Sequence, residues 1–246
     1  MTLQTVDEIY QDLPLVHWAG THTFHIPKQM AEFISRTVEP GMVTLETGCG
    51  VSTVVFALRG CRHTVITPRA AEIERVYDYL RRHGIDTGDL TALIGSSQDL
   101  LPGLSTAPLD FVLIDGQHAF PVPFIDWYYS ARSMRVGGTV VIDDTQIWTG
   151  RSLRNFLAAE DGWEQTNDFF GRAASFRKIT EEVDAAWWGR QPFVLAHTHR
   201  GRLAEAVRRR VAVATRRMEN RHNAKAPMSP AARAVISDDD PAQVSE

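Results

Sequence analysis

The segment from residue 43 to residue 58 constrains the fold more than any other part of the chain. A short apolar run ends in Glu46, and Gly48 and Gly50 follow almost directly. The residues after them have a helical pattern that begins with a hydroxyl residue, Ser52, as its cap. A strand, a glycine turn and a helix N-terminus together expose backbone N–H groups to a ligand. This geometry suits a nucleotide-like cofactor, although glycine turns also join strands to helices in proteins that bind nothing.

Strand-like and helix-like patterns alternate along residues 41–182. The strand-like runs are continuously apolar, as expected for strands that are covered on both faces. They span residues 43–47, 63–67, 90–94, 109–114 and 139–142, and helical patterns at 70–82 and about 124–134 separate some of them. Two later runs, at 163–166 and 173–179, resemble an antiparallel pair closed around Gly171. The sequence therefore predicts an α/β fold: a Rossmann-like, doubly wound, mostly parallel sheet of seven strands with a C-terminal antiparallel hairpin.

The two ends of the chain differ from this central part. Residues 1–40 predict a helical lead-in, with Pro27 in the first turn of a helix. Residues 183–225 predict a helical extension with apolar residues on one face and arginines on the remainder. We expect this extension to dock on the domain or on a second copy, with RNA or anionic lipid as the alternative partner. Residues 226–246 are polar and contain proline, which predicts a disordered tail.

Composition narrows the class of protein. With 246 residues, of which 43% are hydrophobic and 23% charged, the chain fits one globular domain with additions. The net charge of −4 gives no general case for a nucleic-acid partner. No apolar run approaches the roughly 20 residues that span a bilayer, and the N-terminus lacks the pattern of a secretion signal. Two cysteines without metal-site spacing fit a reducing compartment, so we expect a cytoplasmic protein. The arginine-rich extension makes a homodimer worth testing.

Polar residues follow the predicted parallel strands at their carboxyl ends, which is where open parallel sheets bind ligands. They are Glu46, Gly48 and Gly50 after the first strand, Ser96 and Ser97 after the third, Asp115, Gln117 and His118 after the fourth, and Asp143 and Asp144 after the fifth. Loop polarity explains any one of these groups alone. Their coincidence at one edge of the sheet favours a ligand site there.

On these residues the chain resembles the class I S-adenosylmethionine-dependent methyltransferases. The matching segments keep the family's order: Glu46-Thr47-Gly48-Cys49-Gly50-Val51-Ser52, Gly95-Ser96-Ser97, Ile114-Asp115-Gly116-Gln117-His118 and Val136 to Asp144. The resemblance covers roughly residues 27–180 and is nearest to the small-molecule O-methyltransferase branch. It implies S-adenosylmethionine as cofactor, a small-molecule hydroxyl as acceptor, and a lead-in segment that covers the active site.

The resemblance also implies the cofactor contacts. The expected ones are Glu46, Gly48, Gly50, Ser52, Thr67, Ser96, Ser97 and Asp115. Bare backbone at the two glycines would lie along the amino-acid portion of the cofactor, and Glu46 would reach its ammonium group. Capping of N–H groups in the turn is the alternative role for Glu46. Ser96 and Ser97 fall where the family contacts adenine, with a helix N-cap as the alternative.

One departure from the family concerns the second strand, which commonly ends in an acid that holds both ribose hydroxyls. Here the strand ends at Thr67, and the first carboxylates after it are those of Glu72 and Glu74. Unpaired ribose hydroxyls would cost about 1–3 kcal/mol. Thr67 is the expected substitute, with Glu72 or Glu74 reaching in from the next helix as the alternative.

The resemblance further implies a metal site and a base. Asp115, Asp143 and Asp144 match the ligand positions of metal-dependent O-methyltransferases, and hard oxygen ligands suit Mg²⁺. Coordination would hold a substrate hydroxyl in line and lower its pKa, whereas simple loop capping is the alternative role. His118 is the expected general base, with Asp115 as the second catalytic residue. The alternative is that His118 only hydrogen-bonds Asp115.

Aromatic residues and histidines are expected to form the substrate wall, where they would stack on a planar acceptor. They are His17, Trp18, His22, Phe24, His25 and Trp148. Plain packing of the lead-in against the sheet is the alternative for the first five.

Two functions of other classes compete with the methyltransferase. One is a non-catalytic relative that uses the fold for binding or assembly, which the missing ribose acid favours and the three aspartates oppose. The other is an NAD-type dehydrogenase, which needs a third glycine where Thr53 stands and an acid after the second strand.

Overall fold

A computed structural model of the chain describes residues 4–17, 24–182 and 187–198. Two compact units divide the chain after Phe193, and the second contributes only residues 194–198 to the described part. Trp18 and His22 lie outside the described residues. So do the predicted tail and, apart from residues 187–198, the predicted basic extension. The proposed domain boundaries therefore stay a prediction.

Seven strands form one sheet. They are β1 (Val43–Thr47), β2 (Arg62–Thr67), β3 (Leu90–Ile94), β4 (Leu109–Ile114), β5 (Met134–Ile142), β6 (Trp163–Asp168) and β7 (Ala174–Lys178). Their order across the sheet is β3-β2-β1-β4-β5-β7-β6. Strands β1 to β5 are parallel, whereas β7 runs antiparallel to both β5 and β6. The predicted fold class is therefore confirmed.

Helices connect these strands and precede them. The α-helices are α1 (Val6–Gln11), α2 (Lys28–Thr37), α3 (Val51–Leu58), α4 (Ala70–Arg82), α5 (Ser97–Leu100), α6 (Val122–Ser133) and α7 (Trp148–Ala159), and 3₁₀ turns span Leu101–Gly103 and Trp188–Arg190. Pro27 is the N-cap of α2. Among the described residues, no helix is long and apolar enough to cross a membrane.

Alternate side chains of the strands enter two separate cores because successive residues of a strand point to opposite faces. In β4, Phe111 and Leu113 pack in a core that also contains residues of helices α1 to α4. Val112 and Ile114 pack in the other core, together with residues of α6 and α7. Helices thus cover both faces of the central strands, which explains why β4 has apolar residues on both faces.

The N-terminus of α3 differs from its predicted form. The helix begins at Val51 with Gly50 as its N-cap, so Ser52 lies inside the first turn and is not the cap. The prediction was wrong because the Ser52 hydroxyl has another partner, the buried carboxylate of Glu46. The backbone N–H of Gly50 donates instead to the hydroxyl of Thr53, at 3.0 Å.

Candidate active site

A cavity of about 670 Å³ opens at the carboxyl ends of the parallel strands. The chain order reverses between β1 and β4, which is the position where open α/β sheets bind ligands. The cavity brings together most of the residues that the sequence singled out: Gly48, Gly50, Thr67, Ser96, Ser97, Asp115, His118, Asp143 and Asp144. Within the described residues, Glu46 and Ser52 are not part of its lining.

The glycine turn after β1 packs against the loop after β4. Gly48 has a φ of +91°, and a Cβ added there would lie 2.1 Å from the carbonyl oxygen of Asp115. A side chain at Gly48 would therefore push the two loops apart. The N–H of Gly48 donates to the carbonyl of Ile66 at 2.9 Å, and the N–H of Asp115 donates to the carbonyl of Thr47 at 3.0 Å. These bonds extend the strand pairing into the loops and hold Gly48 and Asp115 in position at the cavity.

Glu46 lies beneath this turn and faces the core. Its side chain is fully buried and accepts hydrogen bonds from the hydroxyls of Ser52 and Thr53, the latter at 2.7 Å. It also contacts Nε2 of the buried His63 at 3.2 Å. The Nδ1 atom of His63 in turn lies 2.8 Å from the hydroxyl of Thr44. In this arrangement Glu46 holds the start of α3 from below and does not face the cavity.

His63 is a partner that sequence reasoning missed. It lies in β2 beside β1, where Glu46 pairs in register with Val65. Because side chains alternate along a strand, His63, two residues from Val65, points to the same face as Val65. This alternation could have predicted the contact between Glu46 and His63, but only if the register of β1 and β2 had been known.

A carboxylate does lie at the end of β2, and it comes from helix α4. The buried Glu72 accepts a hydrogen bond from the Thr67 hydroxyl at 3.3 Å and from an Arg69 guanidinium nitrogen at 3.0 Å. The His17 ring nitrogen Nδ1 lies 3.0 Å from the same carboxylate. All four residues line the cavity. The hydrogen bonds from His17 and Arg69 lower the pKa of Glu72, although burial opposes them, so the carboxylate is ionised near neutral pH.

Glu74, the other acid considered from the sequence, is exposed, whereas Glu72 is 6% exposed. The two residues lie on different faces of α4 because they are two positions apart.

The loop after β3 contains the predicted adenine contacts. Ser96 is the N-cap of α5, but its side chain makes no capping hydrogen bond. Ser97 is buried and lies near Asp126 of α6, a buried acid that the sequence pattern did not single out. Burial raises the pKa of Asp126 to about 6, although the hydroxyls of Ser97 and Thr47 oppose this shift. Asp126 went unnoticed because it falls within a helix rather than at a strand end.

The acidic residues after β4 and β5 form one cluster. Burial, reinforced by Asp143, Glu46 and Asp144, raises the pKa of Asp115 well above its usual range. Burial also raises the pKa of Asp143 to about 6. Oδ1 of Asp143 is buried and has no hydrogen-bond partner among the described residues. Burial and the neighbouring carboxylates thus disfavour the ionised forms of Asp115 and Asp143.

His118 pairs with the far end of this cluster. Its Nε2 atom lies 2.8 Å from the carboxylate of Asp144, so its carboxylate partner is Asp144 and not Asp115, the partner that the alternative interpretation of the sequence gave it. The hydrogen bond lowers the pKa of Asp144 and raises the pKa of His118. One ligand atom each from Asp115, His118 and Asp144 lies within 4.8 Å of the others, a spacing that fits a metal ion. Asp143 is outside that group of three.

The expected substrate wall is partly present. His17, Phe24 and His25 line the cavity. Trp148 is 60% exposed and contacts the ring of Phe120, with 6.1 Å between the ring centroids. Within the described residues, neither of these two rings is part of the cavity lining.

Comparison with known proteins agrees with this geometry. Residues 45–145 match a family model described as a methyltransferase domain. No curated protein matches the chain in sequence. Cofactor-bound Rv0187 from MTB has a TM-score of 0.58 and 20% identity, with 72% of this chain and 90% of that one covered.

Two solved O-methyltransferases share the same fold. The O-methyltransferase from Bacillus cereus in complex with SAH has a TM-score of 0.55 and 17% identity, covering 72% of this chain and 92% of that one. TomG from Streptomyces achromogenes in complex with SAM has a TM-score of 0.52 and 17% identity, covering 72% and 87%. The matched family segment contains the glycine turn, the loop after β3 and the acidic cluster. Residues 45–145 are therefore similar to a methyltransferase domain, and the chain shares its fold with these solved structures.

Proposed function

We propose that this protein transfers a methyl group from S-adenosylmethionine to a hydroxyl oxygen of a small molecule. The observation that carries this proposal is the single cavity in which the glycine turn, a buried carboxylate at the end of β2 and the His118–Asp144 pair meet. The O-methyltransferases among the similar structures, which bind SAM or SAH, support both the cofactor and the type of acceptor atom.

The cofactor half of the site lies at the ends of β1, β2 and β3. Gly48 and Gly50 line the cavity and would present bare backbone to the amino-acid portion of the cofactor. Glu72 supplies the carboxylate for the ribose hydroxyls, because it is ionised, lines the cavity and is held by Thr67. Ser97, which lines the same cavity, is the proposed adenine contact. A carboxylate at the end of β2 also weakens the main reason to prefer a non-catalytic relative.

His118 is the proposed general base. If its Nε2–H donates to Asp144, the other ring nitrogen, Nδ1, carries the lone pair that accepts a proton. In the reaction the acceptor oxygen forms a bond to the methyl carbon while the bond from that carbon to sulfur breaks. The hydroxyl proton passes to His118, and the products are a methyl ether and S-adenosylhomocysteine. The sulfonium is already activated, so alignment and deprotonation supply the catalysis.

We further propose that Asp115, Asp143 and Asp144 hold a Mg²⁺ ion. The residues fit such an ion in two ways: ligand atoms of Asp115, His118 and Asp144 lie within 4.8 Å of one another, and a buried oxygen of the adjoining Asp143 has no hydrogen-bond partner among the described residues. When bound, the ion would act as a Lewis acid that lowers the pKa of the acceptor hydroxyl. His118 would still orient Asp144 through its hydrogen bond.

The direct test has two stages. Isothermal titration calorimetry with S-adenosylhomocysteine measures cofactor binding, and release of S-adenosylhomocysteine from S-adenosylmethionine in a panel of hydroxylated small molecules measures transfer. The proposal expects binding with one site per chain and transfer to oxygen. Transfer to nitrogen or carbon acceptors alone would contradict the acceptor class, and tight binding without any transfer would favour the non-catalytic alternative.

A further inference from the structure

One arginine in the cavity has no carboxylate bound to it. Among the described lining residues, Arg69 and Arg172 carry guanidinium groups. Arg69 pairs with Glu72 at 3.0 Å. In the described part of the chain, no ion pair or side-chain hydrogen bond involves Arg172, which is exposed. An exposed guanidinium at the lip of a concave site is available to a ligand.

The backbone holds Arg172 in place. It follows the tight turn of the β6–β7 hairpin, in which Phe170 and Gly171 have φ values of +56° and +71°. The N–H of Thr145 donates to the carbonyl of Arg172 at 2.8 Å, and the Thr145 hydroxyl donates to the carbonyl of Gly171 at 2.8 Å. Thr145 directly follows Asp144. These two hydrogen bonds hold the backbone of Arg172 beside the acidic cluster.

The strand order assigns Arg172 to the acceptor half of the cavity. The adenosine contacts lie at the ends of β2 and β3, whereas Arg172 lies beyond β5 on the opposite side of β1. It lines the same cavity as Asp143 and Asp144, yet in the described part of the chain it forms an ion pair with neither. Its donors therefore stay available on the side where the acceptor must approach His118 and Asp144.

We propose that Arg172 binds an anionic group of the acceptor, a carboxylate or a phosphate, so that the substrate is a hydroxylated acid. Guanidinium presents parallel N–H donors that match the oxygens of these anions. This inference rests on the proposed methyl transfer to oxygen and adds the class of the acceptor. The negative charge of the nearby aspartates would repel such an anion, and the positive charge of Arg172 would oppose this repulsion. The anionic group of the acceptor would therefore be oriented toward Arg172.

The test measures ligand affinity in protein saturated with S-adenosylhomocysteine. The probes are para-hydroxybenzoate, its uncharged methyl ester, and hydroquinone monophosphate, which distinguishes phosphate from carboxylate. Wild-type protein is expected to bind one or both anions about tenfold more tightly than the ester. Arg172→Gln should remove this preference and leave affinity for S-adenosylhomocysteine unchanged, whereas Arg172→Lys should retain part of it. Arg177→Gln is the matched control, since Arg177 is exposed on β7 and pairs with Glu164 outside the cavity.

The proposal fails if neither anion binds wild-type protein more tightly than the ester. It also fails if Arg172→Gln weakens S-adenosylhomocysteine as much as the anion, because Arg172 would then serve the carboxylate of the cofactor. Loss of S-adenosylhomocysteine binding in the wild type itself would instead overturn the proposed function, so the two failures are distinguishable.

Discussion

Thr67 ends β2, and its hydroxyl donates to the carboxylate of Glu72, five residues later in the first turn of α4, at 3.3 Å. A helix residue thus reaches back to the strand end where the family that the sequence resembles commonly has an acid. Glu72 is 6% exposed and lines the cavity. This contact explains how the proposed cofactor site can have a carboxylate for the ribose hydroxyls although the strand ends without one.

We predict that Glu72→Gln weakens S-adenosylhomocysteine binding about tenfold or more, because the ribose hydroxyls lose a charged acceptor. Calorimetric titration measures the change. Glu74→Gln is the matched control, since Glu74 is exposed on the same helix, and it should leave the affinity unchanged. Equal affinities for wild type and Glu72→Gln would remove Glu72 from the cofactor site.

We expect Glu46 to contribute to the stability of the fold rather than to cofactor binding. Glu46→Gln should lower the free energy of unfolding by about 2–4 kcal/mol, because Ser52, Thr53 and His63 share this one buried acceptor. Urea denaturation measures the loss. An unchanged free energy of unfolding together with weaker S-adenosylhomocysteine binding would show that Glu46 contacts the cofactor, as the family resemblance implied.

Replacing His118 by Gln should slow methyl transfer about 100-fold or more, because the acceptor proton loses its base. Cofactor affinity should not change. His25→Gln provides a comparison, since His25 lines the same cavity and its ring contacts the Ile26 carbonyl and not a carboxylate. A larger rate loss in His25→Gln than in His118→Gln would show that His118 is not the general base.

Metal removal tests the acidic cluster. Treatment with a chelator should abolish transfer, and added Mg²⁺ should restore it. Asp143→Asn should abolish this dependence on Mg²⁺ while S-adenosylhomocysteine affinity stays nearly unchanged. Full activity in the presence of chelator would contradict the metal site. Loss of S-adenosylhomocysteine binding in Asp143→Asn, together with loss of Mg²⁺ dependence, would contradict separate metal and cofactor sites.

Asp126 predicts a pH dependence of stability. Burial raises the folded-state pKa of this carboxyl from 3.8 to about 6, so its protonated form favours folding and its contribution is lost as pH rises through the folded pKa. Between about pH 4.5 and pH 7.5 this group should lower the free energy of unfolding by about 2 kcal/mol. Asp126→Asn should lack that decrease.

Denaturant titrations of the two proteins across this range supply the comparison. Asp99→Asn, which changes an exposed acid near Ser97, should follow the wild type. Parallel curves for wild type and Asp126→Asn would show that Asp126 ionises freely in the folded protein.

The parallel part of the sheet was predictable from the sequence because the runs that form its strands are rich in apolar and β-branched residues. Runs 43–47, 90–94 and 109–114 match β1, β3 and β4 residue for residue. The start of β5 could not be predicted in the same way. The strand begins at Met134, and the segment after it contains Arg135, Gly137 and Gly138, which read as a turn until pairing with β4 is known.

The edge of the sheet that holds the site was also predictable, but the pairing of its side chains was not. Spacing along the chain could not choose between Glu72 and Glu74, because the choice depends on which face of α4 meets the cavity. Nor could it pair His118 with Asp144, since these residues belong to loops after different strands. Such contacts depend on side-chain direction, which the strand ends alone do not fix.

The most direct test of the account is calorimetric titration of the wild-type protein with S-adenosylhomocysteine. We predict saturable binding at one site per chain, weakened by Glu72→Gln and unaffected by Glu74→Gln. Absence of binding at millimolar ligand, in protein shown to be folded, would contradict the claim that this cavity is a cofactor site.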